Sequence, residues 1–119
     1  MRKGFFLDAI LIFILNMTGI AFAKPPTILS AEYNHRKQEV TISFHYMGDN
    51  RGSSFELEID DYNIASSILY TYARLIRKGS EGREPILKTL VFGIRHINKP
   101  VNIYFMNEKN EVFRTFNVH

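Results

Sequence analysis

Cysteine is absent from the 119-residue sequence, which excludes disulfide staples, thiolate zinc sites, iron–sulfur clusters and lipid attachment through a cysteine. A strong charge of one sign is also lacking. With 15 Lys+Arg against 12 Asp+Glu, the excess is too mild to imply a polyanion partner, and nucleic acid is not expected. Long hydrophobic runs are missing as well: the longest apolar stretch, Ala9 to Leu15, is bounded by Asp8, Asn16 and Thr18, short of the ~18–20 residues that a membrane-spanning helix requires. There is no Gly-x-Ser-x-Gly elbow, no His-Glu-x-x-His helix and no glycine-rich phosphate loop, so no recognisable catalytic motif is present. What the chain does have is 45% hydrophobic and 23% charged residues, enough for one core and too little length for two domains.

The N-terminus reads as an export signal. Arg2 and Lys3 precede the apolar run, and Ala21-Phe22-Ala23 places small residues where a signal peptidase reads. Residues 1–23 are expected to be a cleaved signal peptide and residues 24–119 a single exported globular domain, with no transmembrane segment after cleavage. Removing Arg2, Lys3 and Asp8 leaves 13 basic and 11 acidic residues, a net charge of +2. An exported domain of this size without cystines favours a bacterial periplasm or exterior.

Lys24-Pro25-Pro26 sets an extended leader into a first strand over Thr27 to Asn34. Val40, Ile42, Phe44 and Tyr46 alternate with Thr41, Ser43 and His45 in the clearest strand of the chain. After the turn Gly48 to Ser53, Phe55, Leu57 and Ile59 alternate with Glu56, Glu58 and Asp60. A direct hairpin between these two strands would pair Phe44 with Leu57, Ile42 with Ile59 and Tyr46 with Phe55, and would set His45 beside Glu56 and Glu58 on the other face.

From residue 62 the period changes. Ile64, Ile68, Tyr72, Leu75 and Ile76 fall on one side of a 3.6-residue helix, with Asp60, Asp61 and Asn63 at its start and Arg74, Arg77 and Lys78 before Gly79 at its end. A helix is predicted over 62–78. Residues 85–97 fit helix or strand and lean to strand on the Leu-Val-Phe run and Gly93. Val101, Ile103 and Phe105 form a strand, Asn107 to Asn110 a turn, and Val112 to Val118 the closing strand of a hairpin. The expected architecture is α+β, an antiparallel sheet of about 5–6 strands packed on one amphipathic helix. The opening Pro26 to Ala31 leading into Val40 to Tyr46, and the closing pair Val101 to Phe105 and Val112 to Val118, resemble the first and last strands of bacterial immunoglobulin or fibronectin type III modules. That resemblance implies a β-sandwich with a helical crossover as the alternative fold and assigns no residue a role.

Two constellations stand out. His45, Glu56 and Glu58, joined by the hairpin register, are a set suited to zinc or acid/base work. Charge is also segregated: residues 49–61 carry a net −4 and residues 74–88 a net +3. Tyr70, Arg74, Arg77 and Lys78 at the helix end are therefore the candidate contact residues for a protein or an anionic envelope component. The expected function is a non-catalytic interaction module recognising an envelope or extracellular partner, with no cofactor. The alternatives are an inhibitor of a periplasmic hydrolase acting through the loop Gly48 to Ser53, or a small metal-dependent secreted enzyme using His45, Glu56 and Glu58.

Overall fold

The computed structural model describes residues 24–49 and 52–119. The segment read as a signal peptide, 1–23, lies outside the described residues, as do positions 50 and 51 of the loop proposed for an inhibitor. The described residues contain no helix and eight strands: β1 (Thr27–Asn34), β2 (Glu39–Gly48), β3 (Ser54–Ile59), β4 (Asn63–Ala65), β5 (Ile68–Lys78), β6 (Glu84–Gly93), β7 (Val101–Met106) and β8 (Val112–Val118). They form two sheets, β1-β2-β6 and β3-β5-β7-β8, with β4 pairing β5 beside β3. The α+β expectation is overturned, because the predicted helix over 62–78 is strands β4 and β5, whereas the sandwich alternative is compatible with these sheets without its helical crossover.

β1 and β2 form a hairpin, closed by a turn in which Lys37 N donates to Asn34 Oδ1 at 3.1 Å and Gln38 takes φ 54°. The alternation of β2 has its expected consequence: Val40, Ile42, Phe44 and Tyr46 are buried, and His45 and Met47 are exposed. The expected β2–β3 hairpin does not form. Both edges of β2 are taken, one by β1 and the other by a ladder running from Glu39↔Gly93 to Gly48↔Glu84 with β6. The six-residue β3 would offer a shorter ladder and pairs instead with β5 in the facing sheet. Phe55 still meets Phe44 and Tyr46, at ring centroids 4.7 and 4.8 Å, but the contact crosses the sandwich.

The predicted helix is instead the β4–β5 hairpin. Ser66 and Ser67 turn the chain with φ 52° and 66°, both left-handed as a two-residue hairpin turn requires. A helix would have brought Ile64 and Ile68 to the core, but they are 74% and 52% exposed. β5 lies in the middle of its sheet, with β3 and β4 along one edge and β7 along the other. Its odd-numbered residues Leu69, Thr71, Ala73 and Leu75 point inward, so the segment contributes to the core with period two. Thr71 is fully buried and donates its hydroxyl to Asp60 O at 2.8 Å, which holds the break between β3 and β4.

Residues 84–93 are strand, as leaned to above, and Ile94 and Ile97 turn into the core with Ile94 N donating to Gln38 O at 2.9 Å. The closing hairpin forms as expected: Asn110 takes φ 59°, and Asn107 Oδ1 accepts from Lys109 N and Glu111 N. The sheets press together through Phe44, Ile42, Ile103, Phe105 and Phe116, each aromatic contributing about 1.5–3 kcal/mol by leaving water. β5 and β7 are parallel, and the chain crosses to the other sheet as β6 between them. This pairing departs from the two antiparallel sheets of immunoglobulin domains. The crossing into β6 relies on one close approach. A Cβ on Gly82 would collide with the Gly48 carbonyl, and Gly82 N donates to Met47 O at 3.0 Å.

Candidate binding face

The even-numbered residues of β5 point outward, and the ladders set them beside residues of its neighbours. Tyr70 lies between Asn63 and Asn102, Tyr72 beside Tyr104, and Arg74 between Glu58 and Met106. β8 extends the rows, placing Asn117 beside Asn102 and Thr115 beside Tyr104. Directly opposed residues share a sheet face, so Tyr70, Tyr72 and Tyr104 gather at the centre of one outer surface. Their ring centroids lie 6.0, 6.0 and 5.6 Å apart, with Tyr72 and Tyr104 inclined by 37° and Tyr70 standing edge-on to both. Mutual packing leaves each ring half-buried. None of the three hydroxyls, nor the side chains of Asn102, Thr115 and Asn117, has a hydrogen-bond partner among the described residues, and none is a buried orphan. Six polar groups therefore face water.

The charges of this surface lie on its β3 side and are paired. Arg74 Nη1 is 3.7 Å from Glu58 Oε1 and 3.5 Å from Asp60 Oδ2, and Lys78 Nζ is 3.1 Å from Glu56 Oε1. Arg74 Nε is buried without an acceptor. At the opposite end, beyond Tyr70 and Asn102, a groove of about 440 Å³ opens between Ser67–Leu69, Lys99–Asn102 and Val118–His119.

Of the four residues proposed for binding, Tyr70, Arg74 and Lys78 share this face, because a spacing of four is even and repeats in a strand as it does in a helix. Arg77 does not share it. Its odd position turns it inward, where Nε donates to Ser53 Oγ at 3.2 Å, Nη2 donates to Ser80 O at 2.7 Å, and Cζ lies 4.8 Å from the Tyr46 ring centre. The set His45, Glu56 and Glu58 is not brought together. His45 is exposed between Thr27 and Leu87 on the outer face of β1-β2-β6, whereas Glu56 and Glu58 lie on the outer face of the other sheet. Among the described residues no three His, Asp or Glu side chains are grouped to hold a metal ion. Tyr72 and Tyr104 were missed by sequence reasoning. Their signal was the Tyr-x-Tyr repeat of 70–72, invisible once the segment was assigned a helical period.

Comparison with protein-family models, curated proteins and solved structures gives no match. Among the described residues no helix is long and apolar enough to cross a membrane.

Proposed function

We propose that the protein is an exported, non-catalytic recognition module that holds an envelope or extracellular partner on the outer face of its five-stranded sheet. The observation that carries this reading is the cluster of Tyr70, Tyr72 and Tyr104, three large rings with unpartnered hydroxyls on a surface that packs against nothing else in the described chain. Half-exposed tyrosines offer apolar area and a polar tip at low conformational cost, the combination that makes aromatic residues anchors of binding surfaces. Export is supported by the basic start, the apolar run and Ala21-Phe22-Ala23.

Two measurements test the reading. The mass of the protein recovered from its native host is expected to begin at Lys24, and an intact Met1 on cytosolic material would end the export claim. Envelope fractions of that host are expected to retain the tagged full chain and to release the Tyr72→Ala/Tyr104→Ala variant. Equal retention of a folded double variant would remove this face from the function.

A further inference from the structure

The chemistry of the face selects among partner classes. An anionic polymer requires free cations along its path, but Arg74 and Lys78 are already set against Glu58, Asp60 and Glu56, the groove's one lysine, Lys99, donates to Gln38 Oε1 at 2.6 Å, and the patch formed by Tyr70, Tyr72, Tyr104, Asn102, Thr115 and Asn117 carries no formal charge. Single-stranded nucleic acid would stack on the rings, yet its phosphates would meet the same shortage of free cations. An acyl chain or an aliphatic protein surface would bury six polar groups without partners, each at a cost. An extended peptide gains its main-chain hydrogen bonds at a sheet edge, not on a face. A ligand that fits must be uncharged, must present flat C–H surface to aromatic rings, and must carry many groups that both donate and accept.

Resting on the recognition reading above, we infer that this face binds a neutral polysaccharide. Pyranose rings present C–H faces that lie against Tyr72 and Tyr104, and their hydroxyls exchange hydrogen bonds with the tyrosine hydroxyls, Thr115 and the two asparagine amides, all of which donate and accept. The patch adjoins the groove at Ser67–Leu69 and Lys99–Asn102 through Asn102, which belongs to both. A chain of several sugar units can therefore run from the tyrosines into the groove, which points to a polymer in preference to a monosaccharide.

The chain contains 6 tyrosines and no tryptophan, so near-ultraviolet absorption reports tyrosine alone, and half of the tyrosines sit on this face. The full chain is run in affinity gels and titrated with neutral glucans of α and β linkage, a mannan, a galactan and a xylan, alongside dextran sulfate and phosphatidylglycerol vesicles. At least one neutral polymer is expected to retard migration and perturb tyrosine absorption, with affinity reduced ~10-fold or more by Tyr104→Ala. Asn102→Ala, which leaves every ring in place, is expected to weaken the same interaction, so a misfolded Tyr104 variant leaves the inference testable. Dextran sulfate and the vesicles are expected to do neither. Failure of every neutral polymer would overturn the inference. If the envelope fraction still released the tyrosine double variant, the recognition reading would survive that failure with another partner; if it did not, both would fall.

Discussion

The two outer faces of the sandwich are built on the same principle and finished differently. On β1-β2-β6, Ser43 Oγ and Thr89 Oγ1 satisfy one another at 2.8 Å, and the exposed side chains around them include the aliphatic Leu87 and Val91. On the five-stranded sheet the charged residues of the β3 side are paired, while the central rows hold tyrosine, amide and hydroxyl groups without hydrogen-bond partners among the described residues. Both faces carry polar groups without partners among the described residues, but one alone gathers three aromatic rings among them. The difference teaches that exposure alone does not nominate a site: Leu87 is 70% exposed, more than any half-buried tyrosine, yet the tyrosines form a cluster flanked by amides and a hydroxyl.

The largest effect on this contrast comes from removing the frame beneath both faces. Gly82→Ala would drive a methyl group into backbone at Gly48 and is expected to cost ~3 kcal/mol or more, visible as a collapse of the denaturant midpoint together with loss of binding. Next in size is the separation of the faces themselves. Tyr72→Ala is expected to reduce partner affinity ~10-fold, whereas Leu87→Ser and Val91→Thr leave it unchanged in the same assay. Equal losses on both faces would erase the distinction. A smaller change follows from the hairpin that projects Tyr70. Replacing Ser66-Ser67 by Asn-Gly supplies residues suited to positive φ and is expected to raise unfolding free energy by about 1 kcal/mol, read from chemical denaturation. Smaller again, Lys78→Ala should shift stability by no more than about 0.5 kcal/mol, because its pair with Glu56 is solvent-exposed.

The smallest effect is confined to alkaline pH. Burial raises the Tyr33 pKa above its ordinary 10.0, so the folded state holds the phenol proton to higher pH than the unfolded state does. Its contribution is complete below the ordinary value and declines as pH rises through the folded one. Tyr33→Phe is expected to flatten that part of the stability curve.

How far the fold was legible depended on whether apolar residues occupied one parity or two. β2 alternates cleanly, and β1, β3, β7 and β8 were placed from similar patterns. β5 carries Ile68, Tyr70, Tyr72 and Ile76 outward as well as Leu69, Ala73 and Leu75 inward, so no alternation was visible and a helical stripe could be drawn through the mixture. The Ile, Tyr and Thr content of the segment argued for strand, but Ser66-Ser67 lacks the Asn-Gly or Asp-Gly signal that marks a tight hairpin. Pairing partners were less accessible still. The β2–β3 register was self-consistent on its own terms, and it failed because β6 competed for the same edge of β2. The candidate site inherited both errors: Tyr70, Arg74 and Lys78 share a face because even spacing survives a change of period, while placing Tyr104 beside them required knowledge of a parallel ladder.

That parallel ladder assembles the candidate surface from distant parts of the chain. Tyr72 and Tyr104 are brought side by side by parallel strands, with β6 of the opposite sheet between them in the chain, a contact distant in sequence and slow to gain. No excised hairpin presents all three rings, since Tyr70 and Tyr72 lie on β5 and Tyr104 on β7. An intact tyrosine cluster therefore reports that the two distant strands have aligned.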